Sequence, residues 1–494
     1  MDYLNPKKDN QQRIQIMLGY ILTAVAITLA SIVILYQAYG FGLGKNGIVI
    51  QSSLTFFSSK PNPANLYLND KLYKSATNTR TALTEGTYKV RLERTGYKPW
   101  LRTVQIDGGK VQHFDYPFLV PKKLISKKVD SYPASLSLST QSLDRRWLLT
   151  NDGVSGITFK ILDIKTKPLK AAEALALPSS LLADGGTSSQ WQLVEWADDN
   201  THVVLKHTYE AGKTEYILVD RTKPDQSVNL TKTLNITTAD LTLKNRKYDQ
   251  YFLFDSVAKT LQTATLKDPV KPVLEHVLAF KSYSDDTILY ATDNGKAQSD
   301  TQIKLLVGKN MYQIKTVKAG PTYLLDLTTY SNHLYLAIGV SNRSRVYIYK
   351  DPVEQLATSP KLAIAPIQVL HIDQPTRLSF SSSAQFIAAE NSQHFAVYDI
   401  ENKKGYNYET IQPLDAPQIY ATWMDGNRLT YTSGNKQLIF DYDYTNQQVL
   451  AASSGAYLPM FAQNYSSTFT ISSSTTTPAT LDLIQTPLLI PTDQ

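Results

Sequence analysis

Histidines and carboxylates at short spacing are the residues of this chain that could bind a metal ion or transfer a proton. His202 and His207 lie five positions apart, and Asp198-Asp199 and Asp285-Asp286 are adjacent acidic pairs. Because five is an odd separation, the two imidazoles would point to opposite faces of a β-strand and could not bind one ion. Both acidic pairs occupy a turn that recurs along the chain, where Asp accepts local backbone hydrogen bonds. We therefore expect structural roles for all of them.

Three other sites could serve in catalysis or calcium binding. Asp441 and Asp443 share one face of a strand, but calcium requires six to eight oxygens and no calcium-binding loop surrounds them. The sequence Met424-Asp425-Gly426-Asn427 predicts a hairpin turn, and Gly153-Val154-Ser155-Gly156 lacks the spacing of a serine nucleophile motif. Zinc-protease and phosphate-loop motifs are absent. The sequence thus predicts a protein without catalytic residues, metal or cofactor, and its ligand-binding residues stay unassigned.

Tyrosines concentrate near the C-terminal end of the chain. Tyrosine offers a large contact area for sugars and peptides at low entropy cost, but it also packs across β-strands. We favour the structural role. The residues are Tyr406, Tyr408, Tyr420, Tyr431, Tyr442, Tyr444 and Tyr457.

The composition of the 494-residue chain excludes whole classes of protein. It has no cysteine, which excludes disulfides, thiolate metal sites and thiol nucleophiles. A hydrophobic content of 42% with 19% charged residues excludes global disorder. The 31 tyrosines favour a strand-rich fold.

The first structural element that the sequence predicts is an apolar segment, residues 14–39, which carries no charged side chain. About 20 apolar residues suffice for a helix to cross a bilayer. Lys7, Lys8 and Arg13 precede the segment, so the positive-inside rule places the N-terminus in the cytoplasm. A cleaved signal peptide is the alternative, but the apolar run is long for one and lacks an A-x-A-like site. We expect a single-pass cell-membrane protein with a cytoplasmic tail (1–13) and the bulk of the chain outside.

Residues 47–121 read as short strands joined by tight turns. They contain, in order, Ser59-Lys60-Pro61, Pro63-Ala64, the strand before Asp70-Lys71, Glu85-Gly86-x-Tyr88 and Gly96-Tyr97-x-Pro99. In order and spacing these motifs resemble the PEGA domain, which implies a small β-sandwich-like module of bacterial and archaeal surface proteins, without catalytic residues. The name-giving string is replaced by Asn62-Pro63-Ala64-Asn65, and Asn69-Asp70 stands where the family has Asp-Gly in the first turn; both changes keep turn-forming residues.

Charge is unevenly distributed along the chain. Residues 45–121 carry a net charge of +6 and residues 122–128 carry +4, whereas residues 129–494 carry −4. The basic module and its linker, residues 122–132, could contact anionic lipid headgroups or wall phosphates. An ordinary solvated surface is the alternative that we favour. Nucleic acid is not expected as a partner outside the membrane.

Residues 133–490 contain a repeated unit in which a strand, a polar turn, a second strand and a third strand follow one another. The unit recurs about every 46 residues, which matches a four-stranded propeller blade with long loops. The region resembles β-propellers of the TolB-like or WD40-like kind, with seven or eight blades. Two tandem β-sandwiches joined near residues 317–321 are the alternative. The first turns lie at Leu143-Asp144-Arg145, Ala197-Asp198-Asp199-Asn200, Lys247-Tyr248-Asp249, Ser284-Asp285-Asp286, Tyr330-Ser331-Asn332, Ser381-Ser382-Ser383, Met424-Asp425-Gly426-Asn427 and Asn464-Tyr465-Ser466.

The predicted fold class is therefore all-β outside the membrane, with an N-terminal transmembrane helix, a PEGA-like module and a propeller. Three functions suit this organisation. The favoured one is non-catalytic binding of envelope polymer or protein by the propeller, with the PEGA-like module as a spacer. A structural or assembly scaffold of the envelope comes second. A polysaccharide or peptide hydrolase comes last, because the motif search found no catalytic set.

Overall fold

The computed structural model describes residues 6–43, 49–284, 286–295, 300–358, 364–417, 419–477 and 479–491. Asp285, one of the residues considered above, lies outside the described residues. The chain divides into two compact units, with the boundary between Lys123 and Leu124.

Helix α1, Pro6–Ala38, opens the first unit. Its stretch Arg13–Ala38 is 26 residues long, and none of its most apolar window is buried. At 1.5 Å per residue this stretch is about 39 Å long, enough to cross a hydrocarbon core of about 30 Å. The observed helix therefore has the length and composition expected of the predicted segment 14–39.

Two four-stranded sheets form the remainder of the first unit. In one sheet, β2 lies between β1 and β5 and also pairs in parallel with β8. The other sheet has the order β4-β3-β6-β7. The strands are β1 (Phe41–Leu43), β2 (Val49–Phe57), β3 (Asn65–Leu68), β4 (Lys71–Lys74), β5 (Thr79–Thr84), β6 (Gly86–Glu93), β7 (Trp100–Ile106) and β8 (Val111–Phe114).

The turns of this unit are those expected from its sequence. Asn69 and Asp70 have φ of 49° and 64°, the two left-handed positions of a tight hairpin turn. Gly96, with φ of 86°, occupies a left-handed position after β6, where a side chain would be strained. Trp100 and Tyr97, which follow this glycine, are 1% and 2% exposed. The turn therefore directs two large aromatic side chains into the core.

The second unit is a β-propeller of eight four-stranded sheets, or blades, in chain order. The eight predicted first turns fall one in each blade. Blade 1 has β10 (Ser139–Gln141), β11 (Trp147–Asn151), β12 (Thr158–Asp163) and β13 (Glu173–Ala176); blade 2 has β14 (Gln190–Trp196), β15 (His202–Tyr209), β16 (Lys213–Asp220) and β17 (Val228–Asn229). Blade 3 has β18 (Asp240–Leu243), β19 (Gln250–Asp255), β20 (Thr260–Thr265) and β21 (Lys271–Glu275); blade 4 has β22 (Val277–Tyr283), β23 (Thr287–Thr292), β24 (Asp300–Val307) and β25 (Asn310–Lys318). Blade 5 has β26 (Tyr323–Tyr330), β27 (His333–Val340), β28 (Arg345–Lys350) and β29 (Gln368–His371); blade 6 has β30 (Arg377–Phe380), β31 (Phe386–Asn391), β32 (His394–Asp399) and β33 (Lys404–Glu409). Blade 7 has β34 (Thr422–Trp423), β35 (Arg428–Ser433), β36 (Lys436–Asp441) and β37 (Gln448–Ala452). Short helices lie between strands at α2 (Leu230–Thr233), α3 (Pro352–Thr358) and three 3-10 turns (Ser179–Leu181, Glu210–Gly212 and Pro224–Gln226).

The eighth blade closes the ring by combining both ends of the propeller chain. Its strands are β38 (Met460–Phe461), β39 (Ser467–Ser473), β40 (Thr480–Pro487) and β9 (Lys127–Pro133). Strand β9 pairs antiparallel with β40 over six residue pairs, from Thr480–Pro133 to Gln485–Lys127. The sequence analysis assigned most of β9 to the basic linker, because Lys127 and Lys128 suggested a solvated segment. Lys128 instead pairs with Asp482 of β40 at 3.0 Å.

Apolar cores join neighbouring blades around the ring. One core combines Leu149 and Phe159 of blade 1 with Trp191 and Val203 of blade 2. Another combines residues of blade 8, such as Phe469, with residues of blade 1. The first strands of neighbouring blades contact one another, as β22 does with β26 and β26 with β30, so that the first strands line the centre. The alternative of two tandem sandwiches is not observed, because the region consists of eight four-stranded sheets and the last of them is completed by β9.

Candidate functional site

The recurrent first turn of each blade has a local structural role. Asp199 Oδ1 accepts backbone hydrogen bonds from Thr201 and His202, both at 2.9 Å. Asp425 Oδ1 accepts equivalent bonds from Asn427 and Arg428, both at 2.8 Å. These bonds are the ones with which Asp stabilises a turn. In most blades a residue between the first and second strands has a left-handed φ; the examples are Arg145, Asn200, Arg246, Ser284, Asn332, Ala384 and Tyr465.

A second contact, which we call the strand-end pair, recurs in five blades and was not predicted. A long polar side chain at the start of the second strand contacts an Asp at the end of the third strand. The two strands are antiparallel neighbours, so these residues face each other across the sheet. The pairs are Arg146–Asp163 (2.6 Å), His202–Asp220 (3.6 Å), His333–Asp351 (2.5 Å), Gln385–Asp399 (3.2 Å) and Arg428–Asp441 (3.4 Å).

The strand-end pair explains His202, which was considered above as a metal ligand. Its ring contacts Asp199 at 2.5 Å and Asp220 at 3.6 Å, and it stacks on Tyr248 at 4.1 Å. His207 lies on the same strand but has different partners. The structure therefore keeps the two histidines apart.

His207 belongs to a buried cluster with Glu215 and Asp184, whose possible ligand atoms lie within 4.8 Å of one another. His207 is 0% exposed and Glu215 is 2% exposed. The His207 Nδ1 atom lies 3.0 Å from Glu215 Oε1, and Nε2 lies 3.0 Å from the carbonyl oxygen of Ser188. Since both ring nitrogens face oxygen acceptors, the geometry favours the doubly protonated ring.

The remaining oxygens of the cluster are also occupied. Glu215 accepts hydrogen bonds from the Ala183 amide at 3.0 Å and from Asn229 Nδ2 at 2.6 Å. Asp184 accepts from the Gly186 and Ser188 amides at 2.9 and 2.8 Å. A metal ion requires a deprotonated ring nitrogen and free carboxylate oxygens. The donor set does not fit a metal centre, and the cluster acts as a buried ion pair that fixes the connection between blades 1 and 2.

The hydrogen bonds of this cluster outweigh the effect of burial on its pKa values. Burial lowers the pKa of His207, but the bonds to Glu215 and the Ser188 carbonyl raise it above its ordinary value. Burial raises the pKa of Glu215, but the bonds from His207, Ala183 and Asn229 lower it below its ordinary value. Both groups are therefore charged at mildly acidic pH.

Three of the predicted tyrosines, Tyr408, Tyr431 and Tyr444, lie in the core between blades 6 and 7, whereas Tyr457 packs against the core of blades 8 and 1. Tyr431 and Tyr442 are 3% and 7% exposed, and the other five predicted tyrosines are half-buried. Tyr408 stacks between Phe395 and Tyr444, with ring centroids 5.3 and 5.1 Å away. These contacts support the structural role that the sequence analysis favoured.

A buried carboxyl group, Glu390, joins blades 6 and 7. It is 1% exposed and accepts a hydrogen bond from the Ala421 amide at 2.7 Å, with Arg377 at 4.0 Å. Burial raises the pKa of Glu390 to about 7. Arg377 also donates to the Ala421 carbonyl at 2.9 Å, so the group holds the chain between the two blades.

Asp441 and Asp443, considered above for calcium binding, accept hydrogen bonds from different side chains. Asp441 accepts from Asn446 at 2.9 Å, and Asp443 accepts from Thr445 at 2.7 Å.

The first strands, which line the centre, carry three carboxylates that were not predicted as site residues, Glu195, Asp240 and Asp326. Asp240 contacts Lys206 at 3.5 Å. Glu195 contacts Arg246 at 3.3 Å, and Asp326 contacts Lys281 at 3.5 Å. Asp326 also accepts from the Phe380 amide at 3.1 Å. Each carboxylate is thus paired with a cation of another blade.

A basic cleft lies between blades 4 and 5 and has a volume of about 410 Å³. Its cationic side chains are Lys315, Lys318, Arg343 and Arg345, and Tyr347 lies in its wall. None of the described residues that line it carries a carboxylate. Sequence reasoning missed this site because its residues come from two blades and form no motif.

Comparison with known proteins identifies the first unit. Residues 53–120 match the PEGA domain family, within the predicted range 47–121. This part of the chain is a PEGA domain, as predicted. No curated protein matches the sequence of the chain.

Several solved structures resemble the second unit weakly. Hsv2 from Kluyveromyces marxianus aligns with a TM-score of 0.41 and 10% identity over 66% of this chain and 99% of Hsv2. The dihydro-heme d1 dehydrogenase NirN aligns with a TM-score of 0.40 and 9% identity over 64% of this chain and 66% of NirN. A protein of unknown function from Desulfotomaculum acetoxidans aligns with a TM-score of 0.33 and 9% identity over 74% and 91% of the two chains. All three TM-scores are below 0.5. The assignment of the fold as a propeller therefore depends on the eight sheets and on the closing strand β9.

The strand-end pairs differ in burial, and we therefore expect their removal to lower the free energy of unfolding by different amounts. Arg428 is 4% exposed and its partner Asp441 is 1% exposed. Replacing Arg428 by Met leaves buried charges unpaired, which costs about 3–5 kcal/mol of unfolding free energy. The matched variant Arg146→Met should lose much less, because 40% of the Arg146 side chain is exposed. Urea unfolding of both variants measures the difference, and equal losses would contradict the structural role of the buried pair.

The His207–Glu215 ion pair predicts a pH-dependent stability. The raised pKa of His207 adds stability that is complete below about pH 6.5 and is lost as pH rises through the folded-state value. The lowered pKa of Glu215 adds stability that is complete above about pH 4.5 and is lost as pH falls through its folded-state value. The difference in melting temperature between wild type and His207→Gln should therefore be largest near pH 5–6 and shrink by pH 9.

The control for this prediction is His394→Gln, which removes an exposed imidazole (59% of the side chain). It should lower the melting temperature little at any of these pH values. Addition of EDTA should leave the wild-type melting temperature unchanged, because His207 has no ring nitrogen free for a metal. A drop on addition of EDTA that His207→Gln abolishes would establish a metal centre instead.

Proposed function

We propose that this protein is a non-catalytic binding protein of the cell envelope, held in the membrane by residues 14–39. Residues 1–13 lie in the cytoplasm, and the PEGA domain and the propeller lie outside. The PEGA domain serves as a spacer, and the propeller binds an envelope polymer or another protein. An assembly scaffold would have the same organisation and differs only in its partner.

The observation that carries this proposal is the commitment of the reactive groups to internal contacts. His202, His207 and His333 each contact a carboxylate. The three carboxylates of the first strands each pair with a cation of another blade. What the ring leaves available to a partner is its loops and the cleft between blades 4 and 5. Binding sites lie most often on loops that a rigid scaffold holds in place.

The proposed orientation predicts which positions can be labelled from outside the cell. The chain has no cysteine, so a single introduced cysteine is the only target of a membrane-impermeant maleimide. Val257→Cys places it in the β19–β20 turn, where the side chain is 87% exposed, and Asn10→Cys places it before the membrane segment. Val257→Cys should react in intact cells, whereas Asn10→Cys should react only after permeabilisation. The reverse pattern would contradict the orientation.

The binding function predicts retention of a partner without turnover. The full chain, purified in detergent and immobilised, is incubated with envelope fractions, and bound polymer and bound protein are identified by mass spectrometry. Retained polymer supports polymer binding, whereas one stoichiometric protein supports the scaffold. Shortened polymer or cleaved peptide in the flow-through would refute both and indicate a hydrolase. A chain with the Arg428→Met exchange, unfolded by mild heating, serves as the control for nonspecific retention.

A further inference from the structure

The basic cleft between blades 4 and 5 differs from the other charged surfaces of the propeller. Two of its cations, Lys315 and Lys318, come from β25, the last strand of blade 4. The other two, Arg343 and Arg345, come from the turn between the second and third strands of blade 5. The packing of two blades therefore brings four positive charges to one cavity.

The strand that carries the lysines is irregular at this point. Ile303 faces Lys315 and Lys304 faces Gln313, so that Ile314 is an extra residue in β25. Such a bulge re-aims side chains and is frequent beside functional sites. Ile314 and Val317 are both buried although they lie three positions apart, and Lys315 between them is directed to the cleft.

The cleft is held in shape before any ligand binds. The Lys315 Nζ atom lies 3.8 Å from the centroid of the Tyr347 ring, a cation–π contact that orients the ammonium group. The turn that carries the arginines is fixed by backbone hydrogen bonds. The Ser341 amide donates to Thr322, and the amides of Ile372 and Gln374 donate to Ser344 and Arg343, at 3.0–3.1 Å.

Of the four cations of the cleft, only Lys318 forms an ion pair with a described residue. Lys318 pairs with Asp300 at 2.7 Å, but this pair is exposed on both sides, and such pairs exchange partners at little cost. Arg343 and Arg345 form no ion pair with any other described residue. Residues 129–494 carry a net charge of −4, so four cations in one cavity without a carboxylate in its wall stand out against an acidic background.

We propose that the basic cleft binds a phosphate-bearing ligand. Guanidinium groups donate two parallel hydrogen bonds to phosphate oxygens, and ammonium groups add charge without a fixed direction. A cavity of about 410 Å³ lies in the range that holds small ligands, roughly 300–1,000 Å³. The cleft thus takes a phosphate group together with a unit the size of a polyol or a sugar, either as a free molecule or as one unit of a polymer.

This inference rests on the proposed function as a binding protein, because it names one ligand chemistry for the propeller. The two can nevertheless fail separately. Phosphate binding is measured on the purified chain and needs no envelope partner, whereas the retention experiment needs no phosphate.

The test is a calorimetric titration of the full chain in nanodiscs of neutral phosphatidylcholine. The probes are glycerol 3-phosphate and inorganic phosphate, with chloride at equal ionic strength as the reference for screening. We expect saturable binding of glycerol 3-phosphate. Arg343→Gln and Arg345→Gln should each weaken it about tenfold, because each removes hydrogen bonds between charged groups.

The matched control is the double variant Lys165→Gln/Lys436→Gln, which removes two exposed charges from other blades. It should bind glycerol 3-phosphate as wild type does, and the melting temperatures of all variants establish that they fold. Nanodiscs that also contain phosphatidylglycerol distinguish the source of the phosphate. An unchanged affinity indicates a soluble or polymeric ligand, and weaker binding of the soluble probe indicates competition by a lipid headgroup. Absence of saturable binding, or equal loss in the control and the arginine variants, would overturn the proposal.

Discussion

The pairing of β9 with β40 is the contact on which the rest of the propeller depends. It joins residues far apart in the chain; Ser131 Oγ, for example, donates to Asp482 Oδ1 at 2.7 Å across 351 positions. Without it, blade 8 would have three strands and the ring would have two uncovered blade faces. Tyr132 of this strand is 3% exposed and packs with residues of blades 1 and 8. The strand therefore closes the hydrogen-bonded sheet and the apolar core together.

Within the ring, the blades use charge in a consistent way. A long polar side chain at the start of the second strand meets an Asp at the end of the third strand, and the same Asp often bonds the backbone of the following turn, as Asp220 does with Thr222 and Lys223. Each such Asp thus fixes two strands and a turn. The partners lie 13–18 positions apart in sequence. A long polar residue followed by an Asp within that interval is therefore the sequence signal of the pairing.

The sequence was sufficient for features that repeat or that depend on local chemistry. The first turns were predicted in every blade because a polar turn between two apolar runs recurs at a blade-like interval, and Asn69-Asp70 was predicted because both residues tolerate a left-handed φ. Features that depend on distant packing were missed. Strand β9 was hidden by Lys127 and Lys128, whose charge suggested a linker, and Asp184 joins His207 only because the loop between two blades folds back.

Repetition also indicates where binding is to be sought. In a ring of similar blades, the strand-end pair recurs at the same place in several blades. A residue that belongs to such a pair has a role in stabilising the fold. Arg343 and Arg345 belong to no such pair, because they flank the turn at the opposite end of their blade from the strand-end pair His333–Asp351. Unpaired like charges in one cavity oppose folding through mutual repulsion, and a bound anion would remove that repulsion. The charges of the basic cleft therefore have no explanation in the stability of the fold alone.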